Sequence, residues 1–128
     1  MIYGVGTDIL NANRIKNIIH KYGEKFLVRF YSDEEIKLSK KKYTNYFFFS
    51  KRFAAKEAFW KAFSPNKNEF IKFKDIEILT SSCGKPVVNL IGETANLIEN
   101  KENLKKKKFE FHISISDEPP NVLAFVII

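Results

Sequence analysis

A glutamate and a lysine four residues apart, Glu57 and Lys61, stand inside the run SKRFAAKEAFWKAF that fills residues 50–63. A third charged residue, Asp8, interrupts the apolar stretch IYGVGTDIL near the start of the chain. Two carboxylates carried on separate elements suit a hard cation, because Mg²⁺ is held by one or two carboxylates while waters and substrate phosphates complete its octahedron. The chain has no Gly-x-x-x-x-Gly-Lys-Ser/Thr loop, no kinase-type glycine-rich loop and no Gly-x-Ser-x-Gly elbow, so those chemistries are excluded. What these residues suggest is a hard-cation site on Asp8 and Glu57, with Lys61 one turn beyond Glu57.

These side chains must be held by a helix and a strand. The run over 50–63 has no Gly or Pro and is rich in Ala, Lys, Glu and Phe, which predicts a helix. At about 100° per residue, Phe53, Glu57, Ser50, Lys61, Ala54, Ala58 and Ala62 share one half of the wheel, with Trp60 and Phe49 beside Phe53. The alanine column lets a neighbouring element approach closely, so this half is expected to face the protein and carry Glu57 inward. The plainer alternative is an exposed i,i+4 pair contributing only a few tenths of a kcal/mol. Asp8 weighs against it. Aspartate is depleted in strands, and Gly4 and Gly6 on the same strand leave room for another backbone or a ligand.

Around this pair the chain supplies further elements. Asn11 or Asn13 can cap a helix running to about Tyr22, with Ile15, Ile18, Ile19 and Tyr22 as its apolar stripe. Beyond Gly23 a short piece through Phe26, Leu27 and Phe30 is expected. Arg14, Lys21, Lys25 and Arg29 lie off that stripe as a basic face, which is either a solvated helix side or a surface for an acidic partner. Ser32 and Glu35 read as a capping box opening a helix to about Lys42, and the aromatic run over 43–49 as core. Alternation over Ile71, Phe73, Ile76 and Ile78 predicts a strand, a turn over 81–86, and a returning strand over 87–90. A short helix over 93–100, a solvated lysine run over 105–108 and an alternating strand over 109–116 follow. That last strand sets Phe109, Phe111, Ile113 and Ile115 against His112, Ser114 and Ser116. A turn at 119–121 and a closing strand over 122–128 complete the order.

The chain has 128 residues and 13 phenylalanines, enough for one domain, 1–128, with an ample core. No leader pattern or membrane-length apolar run is visible, which reads as a cytoplasmic protein without a membrane partner. The one cysteine, Cys83, has no internal disulfide partner and reads as a loop thiol. A formal net charge of +7 and a pI of about 9.4 point to an anionic partner: a nucleotide cofactor, an acidic protein or nucleic acid. A nucleic-acid-binding module and a Mg²⁺-dependent nuclease are therefore the competing readings. The first lacks an arginine-rich recognition helix or an aromatic pair on an open sheet, and an inactive scaffold is disfavoured by the intact Asp8, Glu57 and Lys61.

The stretches GVGTDILNANRI (4–15) and KRFAAKEAFWKAF (51–63) resemble the two signatures of the holo-acyl-carrier-protein synthases, the small class of 4'-phosphopantetheinyl transferases. Their order, spacing and the short total length match as well. The resemblance implies an α+β fold, a mostly antiparallel sheet packed on a long central helix, assembled as a homotrimer with the cofactor in clefts between subunits. It implies transfer of the 4'-phosphopantetheine arm of coenzyme A to a serine of apo acyl carrier protein, releasing adenosine 3',5'-bisphosphate and supporting fatty acid biosynthesis, rather than nucleic-acid binding. Asp8 and Glu57 would hold Mg²⁺ in a metal-assisted phosphoryl-type transfer, Glu57 would accept the serine proton directly or through a metal-bound water, and Lys61 would stabilise the departing phosphate as a compact cation. Arg52, Lys61, Gly84, Lys85, Pro86, His112 and Ser114 would contact coenzyme A, and Arg14, Lys21, Lys25 and Arg29 the acidic carrier. His112-Ile113-Ser114-Ile115-Ser116 matches a third motif of the family, commonly followed by a second His; here that place is Asp117.

Overall fold

Local signals set most of the element boundaries. In the computed structural model, which describes residues 1–40 and 45–128, strand β1 (Val5–Asn11) runs directly into helix α1 (Ala12–Tyr22). The change of direction is stabilised by Asn11, whose side chain accepts from the Asn13 amide at 2.9 Å. Gly23, at φ 57°, separates α1 from α2 (Glu24–Phe30). Ile15 and Ile19 are buried as expected, but Tyr22 is 53% exposed and is not part of the stripe. Helix α3 (Asp33–Leu38) opens with the full Ser32–Glu35 capping box. It ends earlier than expected, and Lys42 and Tyr43 fall outside the described residues.

Helix α4 (Tyr46–Phe63) organises the fold. It begins four residues before the expected start because Asn45 caps it, accepting from the Phe48 amide. Its two flanks are buried: Ala54, Ala58 and Ala62 on one, Phe49, Arg52, Lys56, Phe59 and Phe63 on the other. The expectation of a single inward half is therefore corrected, since packing encloses most of this helix.

The alanine flank lies on a three-stranded antiparallel sheet of order β1-β5-β4, with β4 covering His112–Glu118 and β5 Asn121–Ile127. Contact between β1 and α4 is close. A Cβ on Gly4 would come 1.8 Å from the Ala62 carbonyl oxygen, and one on Gly6 1.9 Å from that of Ala58. The paired small residues of strand and helix thus make the approach anticipated from sequence.

The opposite flank meets α3, a single 3-10 turn (Phe73–Asp75) and an antiparallel hairpin of β2 (Ile76–Thr80) and β3 (Pro86–Leu90). The alternation expected from Ile71 becomes regular strand only at Ile76. Helix α5 (Gly92–Lys105) is longer than expected; its Thr94 amide and hydroxyl donate to Asp75 Oδ2. Strand β4 starts at His112, not at Phe109, because its partner β5 runs out: His112 already faces Ile127. The chain is α+β with every described strand pair antiparallel, divided into two sheets rather than one. No described helix is long and apolar enough to cross a membrane.

Candidate active site

Asp8 lies on the face of β1 that packs against α4, the same face as Gly6 and Leu10. Lys61 reaches across from the helix: its Nζ donates to the Thr7 carbonyl at 2.9 Å and to Asp8 Oδ1 at 3.3 Å. Glu57, one turn earlier, is half-buried on the same side. Burial pushes its carboxyl pKa up, and the neighbouring Asp8 charge adds to this, while Lys61 and Arg14 oppose it. The sequence-predicted trio Asp8, Glu57 and Lys61 is therefore assembled, with Arg14 at the start of α1 close enough to be felt.

A half-buried carboxylate beside a second one is a place where a cation is stabilised. The lysine satisfies only part of that demand, being hydrogen-bonded to Asp8 and the Thr7 carbonyl. By donor type, a pair of carboxylate oxygens suits Mg²⁺ better than a softer ion.

Other expected site residues lie apart from this trio. Gly84, Lys85 and Pro86 form the exposed turn of the β2–β3 hairpin, with Gly84 at φ 83°. His112 and Ser114 are exposed, but on the outer face of the sheet: they align with Ile127 and Phe125 of β5, whereas Asp8 aligns with inward Ala124. Within one subunit the sheet separates them from Asp8. A groove of about 760 Å³ includes His112, Tyr3, Lys105, Lys107, Lys108 and Phe109 in its walls and does not include the carboxylates.

Arg52 points into the protein. Its guanidinium lies 3.6 Å from the Phe48 ring centroid, its Nε is 4.0 Å from Glu35 Oε2 with no hydrogen-bond partner, and it is 8% exposed. Burial lowers its pKa, against the opposing charges of Glu35 and Tyr31. Arg14, Lys21, Lys25 and Arg29 are all exposed on α1 and α2, as a basic face requires. Asp117 points inward at the end of β4 and pairs with Lys51 at 3.4 Å, so an ion pair to α4 stands where the family often carries histidine.

One charged pair was not anticipated. Glu35 and Lys56 are fully buried and bonded at 2.6 Å. Burial lowers the Lys56 pKa to about 8, with Glu35 holding it up. No local pattern announces the pair; the only trace is a lysine beside Glu57 in a helix enclosed on both flanks.

A strand-borne aspartate meets a helix-borne glutamate and lysine on an antiparallel α+β scaffold, and the chain is a transferase. The 4'-phosphopantetheinyl transferase superfamily matches residues 4–116, and this chain belongs to that family. It is 44% identical to the holo-[acyl-carrier-protein] synthase of Zymomonas mobilis, over 100% of this chain and 96% of that protein. Identity to the synthase of the same name from Wolbachia pipientis is 43%, over 100% and 98%. Among solved structures, the holo-[acyl-carrier-protein] synthase of Neisseria meningitidis superposes with a TM-score of 0.86 at 34% identity, covering 99% of this chain and 98% of that one. The Bacillus anthracis synthase, solved in complex with CoA (3',5'-ADP), gives 0.73 at 30% identity, covering 99% and 96%.

Proposed function

We propose that this protein is a holo-[acyl-carrier-protein] synthase that transfers the 4'-phosphopantetheine arm of coenzyme A to a serine of apo acyl carrier protein, releasing adenosine 3',5'-bisphosphate. The observation that carries the reading is the meeting of Asp8, Glu57 and Lys61 across the β1–α4 contact in a chain of this family. The phosphorus–oxygen bond to the serine forms as the pyrophosphate bond of coenzyme A breaks. Glu57 accepts the serine proton, a role favoured by its raised pKa. Lys61, anchored by Thr7 and Asp8, presents its charge to the departing phosphate. Asp8 and Glu57 are the residues to hold Mg²⁺, which supplies charge neutralisation at the pyrophosphate oxygens.

The exposed Gly84–Lys85–Pro86 turn, with Lys85 as its cation, contacts coenzyme A in this reading, and His112 and Ser114 do so from the outer sheet face. They can join Asp8 only across a subunit boundary. That boundary suits the expected homotrimer, because the outer face is apolar: Val5, Ile9 and Leu123 are 51%, 70% and 43% exposed there. Arg52 was expected to contact coenzyme A, but it is 8% exposed with its guanidinium over the Phe48 ring, so in this reading it supports α4 beside Glu35 instead. The basic row Arg14, Lys21, Lys25 and Arg29 receives an acidic carrier in the cytoplasm, where the product supports fatty acid biosynthesis.

Intact-mass spectrometry of an apo acyl carrier protein incubated with this protein, coenzyme A and Mg²⁺ tests the reading. One added phosphopantetheine arm, abolished by EDTA, is expected. No gain with carriers from several sources would overturn it.

A further inference from the structure

We propose that Glu35 and Lys56 are positioning residues: a buried ionic pin that holds the β2–β3 hairpin against α4, keeping the Gly84–Lys85–Pro86 turn and the Glu57 carboxylate in one register. The proposal rests on the transferase reading above. Lys56 Nζ donates to Glu35 Oε1 at 2.6 Å, to the Phe73 carbonyl at 2.7 Å and to the Ile76 carbonyl at 2.6 Å. Its three N–H donors thus have three acceptors. Glu35 is equally committed: Oε1 also accepts from the Ser32 amide at 3.0 Å, and Oε2 from the Ile78 amide at 3.3 Å. Neither residue is exposed to solvent.

The pin continues outward along the hairpin. Ser32 Oγ donates to Glu77 Oε2 at 2.6 Å, and Asn89 Nδ2 donates to Glu77 Oε1 at 2.7 Å. One connected set of polar groups therefore joins α3, α4, the 3-10 turn, β2 and β3. The hairpin's other anchors are apolar contacts and, just after β3, the Ile91 amide, which donates to the Asp75 carbonyl at 3.0 Å. Its two strands form a sheet of their own, without hydrogen bonds to the three-stranded sheet, and an isolated hairpin is marginal in water. Apolar packing by Ile76 and Ile78 holds it near α4, but such packing is non-directional.

On the helix the geometry is equally specific. Lys56 and Glu57 are consecutive, so their side chains leave the axis about 100° apart. The pin grips one flank of α4 while Gly6 rests against Ala58 on another. Two fixed contacts at different angles around one axis prevent rotation of the helix, and rotation is what would carry Glu57 away from Asp8. Stability alone does not call for charges here, because a buried ion pair is often replaced by apolar residues without loss, and its best-attested use is to fix register.

The test is the paired variant Glu35→Gln with Lys56→Met, which removes both charges together, compared with Ile98→Ala, a core truncation in α5 outside the network. Steady-state transfer is measured well below each Tm. The expected result is a fall in kcat of about ten- to a hundredfold with a raised KM for coenzyme A in the paired variant, while Ile98→Ala lowers Tm and leaves both constants at wild-type values. A folded paired variant with wild-type kcat and KM overturns the proposal. Should the pair not fold, Glu77→Gln decides: a raised KM for coenzyme A at unchanged Tm supports the pin, and unchanged kinetics overturn it. Wild-type protein that transfers nothing removes the functional reading and this proposal together; wild-type transfer with an unaffected variant removes the pin alone.

Discussion

Replacing Gly6 by alanine probes the contact on which the site depends. Gly6 carries no positive φ, so an added methyl meets no backbone strain of its own. It meets the Ala58 carbonyl oxygen at 1.9 Å and the Ala62 amide nitrogen at 2.7 Å. Ordinary contact begins near ~3.4 Å, so about 1.5 Å of separation must open between β1 and α4. Both obstructing atoms are backbone, and no rotamer change relieves them. Overpacking of this kind costs about 1–3 kcal/mol and occasionally more; taking about 3 kcal/mol, at about 3–4 °C per kcal/mol for a chain of this size, Tm falls by roughly 10 °C. Transfer activity falls with it, since the same displacement moves Asp8 from Lys61. Differential scanning calorimetry and the carrier mass-shift assay read the two effects. Gly23→Ala is the control: with no atom within 4 Å, it incurs only the backbone strain of φ 57°, ψ −132°, about 1–3 kcal/mol, and keeps its kcat. Adding Ala58→Gly to Gly6→Ala gives no rescue, because the obstruction is a carbonyl. A Gly6→Ala protein with wild-type Tm, or rescue by Ala58→Gly, would refute the close-approach argument.

Asp8→Ala and Glu57→Ala are expected to abolish phosphopantetheine transfer while retaining far-UV circular dichroism, and chelation of Mg²⁺ should silence the wild type; turnover by either variant contradicts the metal assignment. Arg14→Glu should raise the KM for carrier about tenfold with a smaller change for coenzyme A, and added salt should act in the same direction; a flat salt response in stopped-flow binding argues against the basic face. Cys83 Sγ and Ser81 Oγ share a hydrogen bond at 3.2 Å that lowers the thiol pKa, helped by the Lys85 amide. Since the thiolate is the reactive form, alkylation by iodoacetamide should begin at a lower pH than in Ser81→Ala, which peptide mass spectrometry would show; identical pH profiles contradict the hydrogen bond.

Sequence legibility followed the range of the interaction concerned. The Asn11 cap, the Ser32–Glu35 box and the break at Gly23 act within a few residues, and all three are found where the local pattern put them. Gly4 and Gly6 on one element and the alanine column on another each signalled a close approach, because only small residues permit it; that the two approach each other is what the structure adds. Asp8, Glu57 and Lys61 were legible as chemistry, since charge inside apolar runs needs a reason. The second buried flank of α4 was not. A helix buried on both flanks loses the one-sided apolar pattern from which orientation is read, and the buried cation proved to be Lys56 rather than Lys61. Its partners are backbone carbonyls and a glutamate 21 residues away, none of which leaves a periodic trace. The early start of α4 was hidden by Tyr46, Phe47 and Phe48, aromatic residues with weak helix preference. Strand β4 shows the converse: the alternation at Phe109 and Phe111 is real, but a strand extends only as far as its neighbour.

The sheet register has a genetic consequence. Asp8 faces α4 while His112 and Ser114 face outward, so a site drawing on both sets takes each from a different copy of the chain. A copy disabled at Asp8 would still lend intact His112 and Ser114 to its neighbour, and a copy disabled at His112 would lend an intact Asp8. Two alleles, each inactive alone, would then complement when co-expressed. In randomly mixed rings about a quarter of the boundaries would combine both sound halves. Selection would accordingly act on the boundary between copies, and a damaged allele could persist beside a differently damaged one.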